Sequence, residues 1–253
     1  MTLQACAELV RLGDPDRFLA AMAAPPAARA RLWPLYAYNL ELARSAWASD
    51  EPLICRMRLQ WWSDTTAAMP GAPRRAHDVA GPLHDLVAEA GLPVRFLAAM
   101  AEARAWDTGR DPFADGAALL AHLDATAGNL MWLAALALGA PAAAEGAVRD
   151  FARGAGIAAW LRAAAGLTAR GRQPLPAPVP DLAAEGLAAL ARARAARAAI
   201  PRRARPALYP GWQAEALLRQ ARREPDRVAA GRLGQSEFAR RLGLLRLSLG
   251  GRF

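Results

Sequence analysis

Four acids, Glu41, Asp50, Asp64 and Asp124, are the carboxylates of the central segments best suited to oxygen-ligand chemistry. A hard cation such as Mg²⁺ takes oxygen ligands, and a clamp needs at least two acids converging from two helices. The stretch from about Asp150 to Thr168 offers no acid beyond Asp150 itself. His77, His84 and His122 share no ligand spacing, nor do Cys6 and Cys55. Two sparse cysteines suggest reduced thiols in a cytoplasmic protein. Asn39 and Glu41 read in two ways. They are either a polar pair inside a cavity, or one faces solvent while the other ties two helices. Arg58, Gln60, Trp61 and Trp62 form either a partner-binding face or, as preferred, a core contact in which both tryptophans pack and Arg58 pairs with an acid.

The elements that must position these groups are helical. The chain has 253 residues, 54% hydrophobic and 22% charged, and is rich in alanine and leucine, both strong helix formers. "DPDRFLAAMA" begins with Asp14 as a cap and Pro15 for the first turn. Leu32, Leu35, Tyr36, Leu40 and Ala43 recur at helical spacing, and Pro34 either kinks that helix or marks its start. "DPFADGAALLAHLDATAGNLMWLAALALG" reads as a capped turn leading into a long buried helix, and Gly154 and Gly156 would let a neighbour approach the next one. Prolines from Pro174 to Pro180 forbid a helix and predict an extended loop over 173–180 within a single domain, 1–253. No strand pattern or repeat is present, and the length predicts a bundle of roughly ten helices. The start of the sequence lacks the basic and apolar blocks of a signal peptide. All 32 basic residues are arginine and the net charge is +9. That charge permits an anionic partner or peripheral contact with the inner membrane, but the run at Arg202 to Arg205 is read as a solvated face. No nucleic-acid motif is present.

Several stretches, in order, resemble the squalene/phytoene synthase family, the head-to-head branch of the isoprenoid synthases. They are the opening "DPDRFLAAMAAPPAARARLWPLYAYNLELA", "MRLQWW" (Met57 to Trp62) followed by Asp64, "DPFAD", "TAGNL", and "GAGIAAWLRAAAGLTARGRQPLP". The similarity runs from about Asp14 to Pro176. It implies an all-α isoprenoid synthase fold. It also implies two aspartate-rich helices facing across a cavity, holding Mg²⁺ that clamps an allylic diphosphate.

The sequence departs from that pattern at both motifs. The positions of the first fall on Ala43, Arg44 and Trp47, and those of the second on Ala163 and Leu167. None of these side chains ligates a metal. The expectation is therefore an inactive member needing neither metal nor cofactor, with Mg²⁺ required only if an active prenyltransferase alternative holds. "YNLELA", "MRLQWW" and "WLRA" also resemble the branch containing a mitochondrial assembly factor for respiratory complex I, which lacks the same aspartates. That resemblance implies a bacterial relative acting on a protein partner in complex I assembly, or binding an isoprenoid-like ligand. Tyr36, Asn39, Glu41, Arg58, Asp64, His122, Asp124 and Arg162 are the cavity or ligand candidates. His122 is expected to pack where relatives carry a tyrosine, and Arg162 to pair with Glu41 or Asp124. Trp47 and Trp160 are expected to fill the old cavity.

Overall fold

The computed structural model describes residues 2–250, and no strand occurs among them. Proline and aspartate punctuate the first helices. α1 (Leu3–Gly13) runs into Asp14, whose Oδ1 accepts the Arg17 backbone N–H at 3.0 Å and so caps α2 (Pro15–Met22). α3 (Pro26–Ser45) and α4 (Pro52–Ala68) each begin with proline in the first turn, where its missing N–H costs nothing. α3 starts at Pro26 and continues through Pro34, so Pro34 does not mark its start. Burial of Leu32, Trp33, Leu35, Tyr36 and Tyr38 around the proline offsets the one backbone bond it removes. Tyr38 secures this helix to the next layer, its hydroxyl donating to the Leu97 carbonyl at 2.8 Å and its ring meeting the edge of Trp62 at 5.3 Å.

α5 (Ala80–Ala90) ends on Gly91, whose φ of 60° provides the left-handed cap. α6 (Val94–Ala103) passes into a 3-10 segment, Arg104–Thr108. α7 (Gly116–Leu123) is capped by Asp115, which accepts from the Ala118 N–H at 2.8 Å. It then widens into one π-helical turn, Asp124–Gly128, and continues as α8 (Asn129–Ala137). Side chains help satisfy the backbone near that turn: Thr126 donates to the His122 carbonyl at 2.7 Å and Asn129 to the Ala125 carbonyl at 3.0 Å.

α9 (Glu145–Ala169) is the longest helix, and α10 (Val179–Ala195) packs along it. A Cβ at Gly154 would lie 2.6 Å from Leu190 Cγ and 2.8 Å from the Gly186 carbonyl oxygen, and one at Gly156 would sit 3.3 Å from Ala127. Gly154 thus admits α10, and Gly156 admits the π turn. The proline-rich connection is shorter than its composition predicts. α10 already begins at Val179, with Pro180 in its first turn, where a proline interrupts no bond. α11 (Ala214–Arg223), α12 (Asp226–Ala229) and α13 (Glu237–Gly250) follow a 3-10 segment, Arg202–Gly211. Among the described residues the helices outnumber the roughly ten expected, because α1 precedes Asp14 and because the π turn and Glu224–Pro225 divide runs that read as continuous. Both cysteines are buried and unbridged. Among the described residues no helix is long and apolar enough to cross a membrane.

Candidate functional site

One face of α9, carrying Ala152, Ala155, Ala159, Ala163 and Leu167 at three- and four-residue spacing, forms the long wall of a cavity of about 270 Å³. α3 faces it with Tyr36 and Asn39, and Trp47 lies just beyond that helix. α2 contributes Arg17, and the α7–π–α8 run contributes His122, Thr126, Leu130 and Met131. Small residues on α9 are what leave the space open. The cavity reaches Ala163 and Leu167, with Trp47 and Trp160 on its walls. The two tryptophans border the space that remains, which reaches Ala163 but not Ala43. Trp160 is held aside by its indole N–H, which donates to the Pro174 carbonyl at 2.8 Å. Trp47 is 39% exposed, with the Arg170 and Arg172 guanidinium groups 4.8 and 5.2 Å from its ring centroid.

His122 and Trp160 on the wall belong to an aromatic cluster that continues behind it. Trp106 stacks on Phe113 at 4.3 Å, and the His122 ring lies 5.5 Å from that of Trp160. Burial lowers the His122 pKa to about 4, so its imidazole is neutral at neutral pH. Burial likewise pushes the Tyr36 phenol well above its usual value, although Arg17 nearby opposes the shift. Tyr36 therefore keeps its proton, and its hydroxyl is buried without a protein partner.

The charges on the wall are paired. Arg17 Nε donates to Asp14 Oδ2 at 2.9 Å. Burial alone would raise the Asp14 pKa, but the Arg17 charge and hydrogen bonds outweigh it and hold the carboxyl below its ordinary range. Asp107, only 4% exposed, accepts from Arg104 at 3.0 Å. The Arg172 guanidinium is spent on the backbone carbonyls of Trp106 and Asp107.

The sequence candidates divide. Tyr36, Asn39 and His122 meet on the cavity wall. Glu41 is half-buried and lies 3.7 Å from Arg44, outside the wall; Ala43 is also half-buried and outside it. Asp64 is exposed and accepts from Gln60 at 2.8 Å. Asp50 is exposed as well. Asp124 turns outward to Arg149 at 3.0 Å, because residues two apart from His122 and Thr126 lie on the other side of the helix. Arg162 pairs with neither Glu41 nor Asp124. It donates to Asp16 at 2.9 Å, since its place on α9 faces α2. Arg58 is exposed and forms no ion pair among the described residues, in contrast to the pairing expected. Of the adjacent tryptophans, Trp62 is buried and Trp61 is 39% exposed, because α4 turns Trp62 to the core with Leu59 and Thr66 and leaves Trp61 on the side of Met57. Arg17, Arg104, Asp107 and Thr126 were not anticipated. The three-residue spacing of Asp14 with Arg17, and of Arg104 with Asp107, is the signal that marks the two pairs.

The donor set does not suit a Mg²⁺–diphosphate clamp. Among the wall residues Asp107 is the one carboxylate, and Arg104 engages it. Where carboxylates would have to converge from α3 and α9, the wall offers Asn39, Trp47, Ala163 and Leu167. Among the described residues no cluster of three histidine, cysteine or acidic side chains could hold a metal ion.

Comparison with solved structures gives the same architecture. A dehydrosqualene synthase crystallised with a ligand superposes with a TM-score of 0.83 over 97% of this chain and 94% of that one, at 12% identity. The squalene synthase HpnC from Alicyclobacillus acidocaldarius superposes with a TM-score of 0.72, over 88% and 93% of the two chains, at 14% identity. At these identities the likeness establishes the fold, the all-α isoprenoid synthase bundle. No curated protein sequence matches significantly. The squalene/phytoene synthase family model matches residues 10–179, more than half of the chain. The chain therefore belongs to the squalene/phytoene synthase family.

Proposed function

We propose that this chain is a non-catalytic family member whose cavity binds an isoprenoid-like ligand without metal-dependent chemistry. The observation that carries this reading is the persistence of the cavity with Trp47, Ala163 and Leu167 on its walls and a single, already engaged carboxylate. Ionising an allylic diphosphate requires the leaving charge to be stabilised as it develops, and these side chains offer no metal with which to do so. The purified protein with Mg²⁺ and farnesyl diphosphate is expected to release diphosphate no faster than a heat-inactivated blank. Mg²⁺-dependent release would restore the alternative, an active head-to-head prenyltransferase.

A second reading, assembly of respiratory complex I, has support of its own. Leu53, Ile54, Met57 and Trp61 form an exposed apolar stripe along α4, in and beside the "MRLQWW" stretch that carries the resemblance to the assembly-factor branch. Leu53 and Met57 are 67% and 64% exposed, a surface suited to a protein contact. Deletion of the gene from its host is expected to abolish assembled NADH:quinone oxidoreductase on a native gel. Complementation with the wild-type chain restores it, and a Met57→Glu, Trp61→Glu variant that folds does not. An unchanged complex in the deletion strain removes this reading and leaves the ligand-binding one standing.

A further inference from the structure

The polar groups around the cavity decide what kind of molecule it suits. Each charged wall residue is already neutralised: Arg17 by Asp14 at 2.9 Å, Arg104 and Asp107 by each other at 3.0 Å. Just outside, Arg170 and Arg172 lie over the Trp47 ring, Arg172 with its N–H groups committed to two backbone carbonyls, and neither lines the cavity. A diphosphate entering this space would have to give up hydration for a wall with no uncompensated cation, and an unpaired buried charge is among the costliest groups a protein can hold. A neutral molecule meets no such penalty. Its apolar body would lie against Leu130, Met131 and Leu167.

One group on the wall lacks a match. Tyr36 is 2% exposed, and its hydroxyl has no hydrogen-bond partner in the protein. Its ring is fixed on α3 with the Arg17 guanidinium 5.2 Å from the centroid. A buried phenol without a partner is an exception that calls for a cause, because such groups are nearly always paired. Asn39, one helical turn further along α3, adds an amide to the same wall. Tyr36 and Asn39 are themselves uncharged, and the Arg17 guanidinium behind Tyr36 is already paired with Asp14, so the two donors match an uncharged acceptor such as a carbonyl oxygen. At about 270 Å³ the cavity lies at the small end of ligand sites, which favours a short isoprenoid.

We propose that the cavity binds an uncharged, largely apolar molecule with a carbonyl-type oxygen that accepts from the Tyr36 hydroxyl, and that it discriminates against prenyl diphosphates. This assignment rests on the binding reading above and names its ligand class. Three probes test it on the full chain in EDTA, followed by quenching of tryptophan fluorescence and by calorimetry: geranylacetone, a prenyl ketone; farnesene, a hydrocarbon without the oxygen; and farnesyl diphosphate. The wild-type chain is expected to bind the ketone more tightly than the diphosphate. Tyr36→Phe should weaken the ketone about fivefold to tenfold, the loss of one hydrogen bond, and leave the hydrocarbon within about twofold. Because the hydroxyl has no protein partner, the variant is expected to melt no lower than the wild type, and equal hydrocarbon binding checks that its cavity is intact. Ketone binding indifferent to Tyr36→Phe, or diphosphate binding tighter than the ketone, overturns the assignment and leaves the binding reading in place. Failure of all three probes to bind overturns both.

Discussion

Replacing Trp160 with alanine is expected to lower the free energy of unfolding by about 3–5 kcal/mol. The indole is 9% exposed and packs against Trp106, Phe113 and His122 at centroid distances of 5.5, 5.7 and 5.5 Å. Its removal costs the transfer energy of a large side chain together with a void that the surrounding rings fill only in part. It also strands the Pro174 carbonyl, which accepts from the Trp160 N–H. Trp160→Phe separates the two effects: it keeps most of the ring and loses the hydrogen bond, worth about 1 kcal/mol. Urea unfolding followed by circular dichroism checks both variants. A loss below about 1 kcal/mol in the alanine variant would mean that the aromatic cluster collapses without penalty, contrary to its packing.

The second large effect centres on Asp16. Its Oδ2 accepts from Arg162 on α9 at 2.9 Å and from Gln213 at 3.1 Å, and its Oδ1 accepts from Arg240 on α13. One carboxylate near the start of α2 thus joins both the cavity helix and the C-terminal helix. The Asp16 side chain is 23% exposed, so the pairs are partly shielded from water. Asp16→Ala is expected to cost about 2–3 kcal/mol at neutral pH, through lost charge-assisted hydrogen bonds and two arginines left facing each other. Burial raises the Asp16 pKa, but the hydrogen bond and charge of Arg162, with help from Gln213 and Arg240, outweigh it and hold the pKa below its ordinary value. The sign follows from linkage. A folded pKa below the unfolded one gives stability that is fully present above the unfolded value, about 4, and is lost as pH falls through the folded value. The difference between wild type and Asp16→Ala should therefore shrink on acidification below about pH 4. Urea midpoints for both proteins at pH 7 and pH 3 measure it, and an equal difference at the two pH values would remove the ion pairs as its cause.

These two sites also show what the sequence revealed and what it withheld. Local chemistry was legible. Asp14 caps α2 as expected, Gly154 and Gly156 mark close approaches, and the alanine-rich face of α9 follows from helical spacing. Tyr36, Asn39 and His122 could be chosen because the family resemblance fixes which faces of two helices meet. Partners distant in the chain could not be chosen that way. Arg162 was given Glu41 or Asp124, yet its partner lies 146 positions away in a helix whose packing angle no local pattern encodes. Which of Trp61 and Trp62 faces the core depends on how α4 is turned against its neighbours, because adjacent helix positions can both be buried, as Leu35 and Tyr36 are on α3. Arg104 and Asp107 lie in a 3-10 segment without α-helical periodicity, which is why their place at the cavity was not visible.

The π-helical turn at Asp124–Gly128 bears on how this chain came to its present length. Such a turn holds one more residue than an α-helix needs, and it lets an inserted residue be absorbed while the helices on either side keep their orientation. Insertion within α7, without such a turn to absorb it, would rotate every following side chain by about a quarter turn or more, carrying Leu130 and Met131 off the cavity wall. The α7–α8 junction is thus a place where the wall can gain or lose a single residue in descent, with Thr126 and Asn129 already bonded to backbone carbonyls around it.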